Sequence, residues 1–270
     1  MSRFTSIAWA DSSFNPWIGC SHKSPACEHC YAEAMNARWK WNDTGTWGPG
    51  EPRKITKGWS GPKTWNRQAA AGKVGKDGKR WLVFAGDLCD IFDDEGPADA
   101  RERLWDLVRS MTHLTWLFLT KRVDNLAKDL PSDWGDGYRN VWLGATIENR
   151  RELARRLSIL KSTPAAVRYI SFEPLLESIG DIDLTGIHWA IVGGESGTQA
   201  RPFALEWARE IKQACRDSGT TLFMKQLGRR PTLKDQPFPI LQPRLDGKRD
   251  IHGICKENMP SDLRIQRWPK

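Results

Sequence analysis

The sequence has no run of roughly 18 apolar residues, the length a membrane-spanning helix requires, so no helical passage through a bilayer is expected. Its start, MSRFTSIAWADSSFNPW, lacks a basic stretch followed by an apolar one, so no secretory signal is expected. A cytoplasmic location follows as the expectation, the host's cytoplasm if a phage encodes the chain. Neither a repeat of fixed period nor a low-complexity tract is visible, which argues against solenoids and disordered arrays. A disulfide framework is also missing, because six cysteines in 270 residues without a secretory signal do not make one. Three of the six, Cys20, Cys27 and Cys30, fall within eleven residues, a density that favours a metal or cluster site.

What is present is basic charge, unevenly placed. The formal net charge is +8. Residues 32–80 contribute +7 and residues 226–270 contribute +5, so the remainder is acidic. Five of the fifteen tryptophans, Trp39, Trp41, Trp47, Trp59 and Trp65, lie in the first basic stretch. Cationic side chains gather phosphates, and exposed tryptophan offers bases a stacking surface, so this stretch points to a nucleic-acid partner. The competing reading is that the tryptophans pack the stretch onto the rest of the protein and the lysines solvate it.

From residue 81 short apolar runs alternate with amphipathic segments. The runs are WLVFAGD (81–87), TWLFLTK (115–121), VWLGATIE (141–148), VRYISFE (167–173), HWAIVGGE (188–195) and TLFMKQ (221–226). Helices are predicted over 100–111, 150–162 and 205–219, with another starting near Tyr31. Continuous apolar runs fit strands buried on both faces of a parallel sheet, and strict alternation with helices means βαβ units. With a further strand near Ser6–Ala10, the pattern predicts an α/β fold, a partial (β/α) barrel of six or seven strands. Each of the six runs ends in a polar residue, Asp87, Lys121, Glu148, Glu173, Glu195 or Lys225, and in such barrels the C-terminal strand ends carry the active site. Residues 1–228 are expected to form the barrel domain, with 40–80 as a non-periodic insertion. Residues 229–270, rich in proline, are expected to form an extended arm packed on it.

The spacing of the three cysteines is C-x6-C-x2-C. Three thiolates on one loop, with a fourth corner open, suit a [4Fe–4S] cluster whose unique iron binds an outside ligand. A helix beginning at Tyr31 would aim its N-terminus at the anionic sulfurs. Zinc is the competing ligand, with His22 or His29 completing a Cys3His set. A purely structural thiol cluster is the third possibility. Of the other cysteines, Cys215 lies in a predicted helix and reads as core, Cys255 takes no role, and Cys89 follows the strand end at Gly86-Asp87.

The loop N-P-W-x-G-C, the C-x-x-C-Y-A that follows, the GGESG run and the late F-M-K-Q-L-G resemble a phage and bacterial group within the radical S-adenosylmethionine superfamily. The resemblance spans about residues 7–228, with a first cysteine gap three residues longer than the superfamily's usual one and His29 before the third cysteine. It implies a [4Fe–4S] cluster on Cys20, Cys27 and Cys30, S-adenosyl-L-methionine on the open iron, and an electron donor such as flavodoxin or ferredoxin. A 5′-deoxyadenosyl radical would then abstract hydrogen from a substrate, with rearrangement, modification or bond cleavage as the outcome. By position, Gly86 and Asp87 match the place that receives the methionine amino group, and Thr146 and Glu148 match the ribose region. Glu173 suits either, and Gly193, Gly194 and Glu195 offer close backbone approach and a carboxylate. Lys225 and Gln226 are placed to reach the substrate or the methionine carboxylate, and Cys89 is a candidate hydrogen-atom donor. With the basic stretch, the phage association points to a nucleic-acid base or modified nucleotide as substrate, a hypermodified thymine of phage DNA being one example. The alternative is a zinc- or cluster-containing nucleic-acid-binding module without catalysis.

Overall fold

The computed structural model describes residues 5–240 and 256–270. The described residues form two compact units, one from 5–145 and 162–167, the other from 146–161, 168–240 and 256–270. In both, parallel strands alternate with helices, so the architecture is mixed α/β, as the apolar runs predict.

In chain order the elements of the first unit are β1 (Ser12–Phe14), β2 (Trp17–Ile18), α1 (Tyr31–Trp39), β3 (Lys54–Ile55), α2 (Gly61–Ala70), β4 (Trp81–Ala85), α3 (Ala98–Ser110), β5 (Leu114–Thr120), α4 (Leu126–Asp129) and β6 (Val141–Thr146). Strands β1, β4, β5 and β6 pair side by side and in parallel, whereas β2 and β3 form a separate antiparallel ribbon. Every residue of β4 and β6 is buried, which is why their sequences are continuous apolar runs instead of alternating ones. Large aromatics fill the interior: Phe14, Trp81, Trp116 and Phe118 are almost wholly enclosed.

One expectation is corrected here. The first strand is not at Ser6–Ala10 but at Ser12–Phe14. The earlier stretch turns because Lys76 Nζ gathers the carbonyls of Thr5, Ile7 and Ala10 at 3.2, 2.7 and 2.6 Å. Asp11 then ties that turn to the amides of Lys76 and Leu82, each at 2.7 Å. Trp9 and Ala10 are core residues, so the apolar run marks burial correctly and backbone direction wrongly. Residues 40–80, expected as an inserted long loop or small subdomain, hold helix α2. Its buried residues are Pro62 and Trp65, one turn apart, too few to print a helical period on the sequence.

The second unit continues with α5 (Arg150–Ser162), β7 (Val167–Phe172), β8 (Trp189–Gly193), β9 (Phe203–Ala204), α6 (Leu205–Asp217), β10 (Thr221–Gln226), β11 (Pro231–Leu233) and β12 (Gln236–Pro237). Strands β7, β8 and β10 are neighbours and parallel. Helix α6 buries Leu205, Ala208, Ile211, Ala214 and Cys215 along one stripe. Strands β11 and β12 form a hairpin whose two loop residues, Lys234 and Asp235, both have positive φ (50° and 58°), a left-handed pair matching strand twist. The proline-rich end is therefore partly regular. Its last residues run against β10, with the Met224 amide donating to Ile265 O at 2.7 Å and Trp189 Nε1 to Arg267 O at 2.9 Å.

Candidate functional site

The cysteine loop leaves the C-terminal end of β1 and is built from Asn15 onward. Asn15 Nδ2 donates to the Asp87 carboxylate, and its Oδ1 accepts the Leu88 amide at 2.8 Å. One side chain thus joins the loop to the exit of β4. Trp17 is fully buried, and Gly19 follows it with φ 126°. A Cβ at Gly19 would lie 2.5 Å from Pro52 O, so neither the backbone angle nor the space admits another residue. These contacts give the N-P-W-x-G-C motif its physical sense.

Cys20, Cys27 and Cys30 form no disulfide and are half-buried. The Lys23 amide donates to Cys27 Sγ at 3.5 Å, and Cys27 ends a short 3-10 turn, Pro25–Cys27. Cys30 stands at the N-terminal cap of α1, so the first turn of the helix begins at the third thiol, as the sequence predicts. Burial pushes the Cys20 thiol up to about 12, Asp90 adds to that, and Arg122 opposes it. Burial also raises Cys30, while the Glu33 amide and then Lys121 act the other way. Cys89 is buried at the exit of β4, and burial pushes its thiol well above the ordinary range, with Cys20 among the neighbouring charges that add to this. Its Sγ lies 3.9 Å from Asn15 Oδ1. Asp87 is raised by burial and partly relieved by Asn15 and Ser13. The structure therefore brings Gly86, Asp87 and Cys89 together with the thiol loop at the C-terminal ends of β1 and β4.

Residues that sequence reasoning missed complete this region. Lys121 was the polar exit expected of β5, but the buried residue there is the next one, Arg122. Its Nη1 donates to Cys20 Sγ at 3.5 Å and its Nη2 to Ser21 O at 2.9 Å. The same guanidinium meets Asp90 at 3.4 Å, Asp93 at 3.2 Å and Asp94 at 3.6 Å. Arg53 pairs with Asp93 at 2.8 Å and donates to Ser21 Oγ at 2.6 Å. The signal available was the acidic run D-L-C-D-I-F-D-D at 87–94, directly after an apolar strand.

In the second unit the strand ends form a different cluster. Glu173 accepts from Lys225 Nζ at 2.6 Å and from Gln226 Nε2 at 2.9 Å. A Cβ on Gly193 would stand 3.3 Å from both Glu173 and Gln226, and one on Gly194 would stand 2.7 Å from Leu227 O. Gly194 is thus demanded by the close approach of the β8 and β10 exits, and Gly193 is tight against two side chains. Glu195 is engaged by Arg201, whose amide donates to it at 2.7 Å. Glu148 is fully enclosed and paired with Arg156 at 2.9 Å, and Arg156 also pairs with Glu152 at 2.7 Å. Thr146 Oγ1 is buried without a partner among the described residues, while the Thr146 carbonyl accepts from Arg156 at 2.7 Å. So Glu173, Gly193, Gly194 and Lys225 meet in one cluster, whereas Thr146 and Glu148 adjoin a separate buried arginine.

The donor set fits an iron–sulfur cluster. Buried thiols become thiolates only beside positive charge, which iron supplies and which Arg122 already supplies in part. Among the described residues no group of three or more His, Cys, Asp or Glu side chains is gathered to hold one metal ion. Cluster thiolates bind separate irons and need not converge on a point. His22, a candidate fourth zinc ligand, instead lies 2.6 Å from Glu33. Cys255 lies outside the described residues.

Parallel strands separated by helices, with a three-thiol loop at their C-terminal ends, define the class: an α/β protein built around a cysteine loop. The chain belongs to the DUF5131 family, described as proteins of unknown function, whose model matches residues 4–259. No curated protein and no solved structure matches it. No helix among the described residues is long and apolar enough to cross a membrane.

Proposed function

We propose that the chain is a radical S-adenosylmethionine enzyme, its three loop cysteines holding a [4Fe–4S] cluster and its substrate a nucleic-acid base or modified nucleotide. The observation that carries this is the thiol loop at the C-terminal strand ends, with a buried guanidinium on Cys20 and a helix beginning at Cys30. When bound, the cluster supplies one electron to the sulfonium and so a carbon radical for hydrogen abstraction. Cys20, Cys27 and Cys30 would hold three irons and leave the fourth for the methionine moiety.

Asp87, oriented by Asn15, would accept the methionine amino group, whose positive charge would relieve the burial of the carboxyl. Lys225, held by Glu173, would serve a carboxylate or the substrate. Cys89, dry and beside Cys20, suits hydrogen-atom transfer better than ionic chemistry. A partial (β/α) barrel is the arrangement this function requires, and flavodoxin or ferredoxin is the kind of electron donor it would use.

The nucleic-acid part rests on a reduced set of tryptophans. Trp39 is exposed with Arg38 over its ring at 4.8 Å, and Trp41 and Trp47 are half-buried. Trp59 and Trp65 are buried, Trp59 between Phe14 at 5.2 Å and Arg103 at 4.0 Å, so they pack the insertion and do not stack bases. Lys54, Lys57 and Lys63 are exposed. A target base would have to be unpaired or flipped to reach the thiol loop.

The test is anaerobic reconstitution with iron and sulfide, then dithionite and S-adenosylmethionine. Brown protein that releases 5′-deoxyadenosine supports the proposal. Colourless protein that carries one zinc and refuses iron would overturn it. Brown protein that never cleaves the cofactor points to a binding module.

A further inference from the structure

Arg122 has more contacts than a structural ion pair needs. Asp90, Asp93 and Asp94 surround its guanidinium, and its side chain is only 4% exposed. Asp90 is itself fixed, accepting from Thr120 Oγ1 at 2.8 Å and from the Lys121 amide at 3.1 Å. These carboxylates surround the buried cation with negative charge, while its Nε has no hydrogen-bond partner among the described residues. Yet Nη1 is shared between Asp90 at 3.4 Å and Cys20 Sγ at 3.5 Å, and Nη2 reaches the carbonyl of the next loop residue, Ser21, at 2.9 Å. The residue thus presents one N–H and one buried positive charge to a single sulfur of the loop.

We propose that Arg122 is a positioning residue that sets the reduction potential of the cluster through this hydrogen bond to Cys20, with Asp90 as the opposing charge. The inference rests on the cluster proposed above. A hydrogen bond and a positive charge at a ligating sulfur favour the more negative, reduced cluster and raise its potential. A carboxylate at the same place does the reverse. Arg122 and Asp90 therefore act as a pair of opposite sign on one ligand. The fork geometry of arginine also fixes the Cys20 sulfur relative to β4 and β5, which a lysine's single ammonium cannot do.

The experiment is a potentiometric titration, followed by electron paramagnetic resonance, of anaerobically reconstituted wild type, Arg122→Gln, Arg122→Lys and Asp90→Asn. Iron, sulfide and circular dichroism are measured on each. The expected result is cluster in all four, a more negative midpoint in Arg122→Gln, an intermediate one in Arg122→Lys and a more positive one in Asp90→Asn. Loaded Arg122→Gln with the wild-type midpoint would overturn the role. So would Arg122→Gln and Arg122→Lys proteins that fold but take up no iron, since Arg122 would then only shape the loop. A wild-type protein that takes up no iron and sulfide removes the cluster itself, a different failure seen before any variant is compared.

Discussion

Gly19 and the cysteines around it are where single substitutions act most sharply. Changing Cys20, Cys27 or Cys30 to Ala is expected to abolish iron and sulfide uptake. Cys215→Ala, in the core of α6, should leave uptake intact. Iron and sulfide analysis after reconstitution checks both, and retained cluster in all three loop variants would reject the ligand assignment. Gly19→Ala keeps every thiol but puts a Cβ against Pro52 O at φ 126°. A strained residue of this kind costs about 1–3 kcal/mol, so urea unfolding should move to lower concentration and cluster retention should fall. The motif made the cysteines and Gly19 legible. Arg122 was not, because a charged residue after a strand resembles any loop residue until its burial is seen.

At the scale of elements, α5 is tied to the end of β6 by Arg156 between Glu148 and Glu152. Removing one member of a buried ionic group leaves the others unpaired, at about 3–5 kcal/mol. Arg156→Met should therefore lower stability by that much in denaturant titration, and Arg156→Met with Glu148→Gln by less. Helix α6 makes a prediction about pH. Burial pushes the Cys215 thiol up to about 12 from its ordinary 9.0. Between those values the folded chain keeps a proton that the unfolded chain releases, so stability present below pH 9.0 is lost as pH rises toward about 12. Comparing wild type with Cys215→Ala across this window should show a shallower decline in the variant. Strands β4 to β8 and β10 were readable because burial on both faces leaves unbroken apolar runs. Helix α2 and strand β1 were not, since the first buries two residues and the second has only three, one of them Ser12, the acceptor of Trp81 Nε1 at 3.1 Å.

Over the whole molecule the relevant quantity is the net charge of +8, concentrated in the insertion and the tail. Binding of single-stranded DNA should weaken as salt rises, because each neutralised phosphate releases counterions. Changing Lys54, Lys57 and Lys63 together to Ala should flatten the salt dependence. Trp39→Ala should weaken binding at every salt concentration by the loss of one stacking surface, about 1–3 kcal/mol. Fluorescence titration checks both. Absence of binding at low salt would turn attention to a small-molecule or protein substrate.

The contact between Arg122 and Cys20 joins positions 102 residues apart in the chain. During synthesis the three cysteines leave the ribosome well before β5 exists. At roughly 5–20 residues per second, the loop waits on the order of 5–20 s for its guanidinium. Asn15 likewise waits for Leu88, 73 residues later. Until then the loop's partners are those that precede residue 57, the β2–β3 ribbon, the Gly48 amide on Cys20 O at 3.1 Å and Arg53 on Ser21 Oγ at 2.6 Å, and its ties to β4 and β5 are missing. For the cluster proposed above, a chain ending before residue 114 should therefore retain less iron and sulfide after reconstitution than the full chain, because the Arg122 and Leu88 contacts complete the loop's attachment.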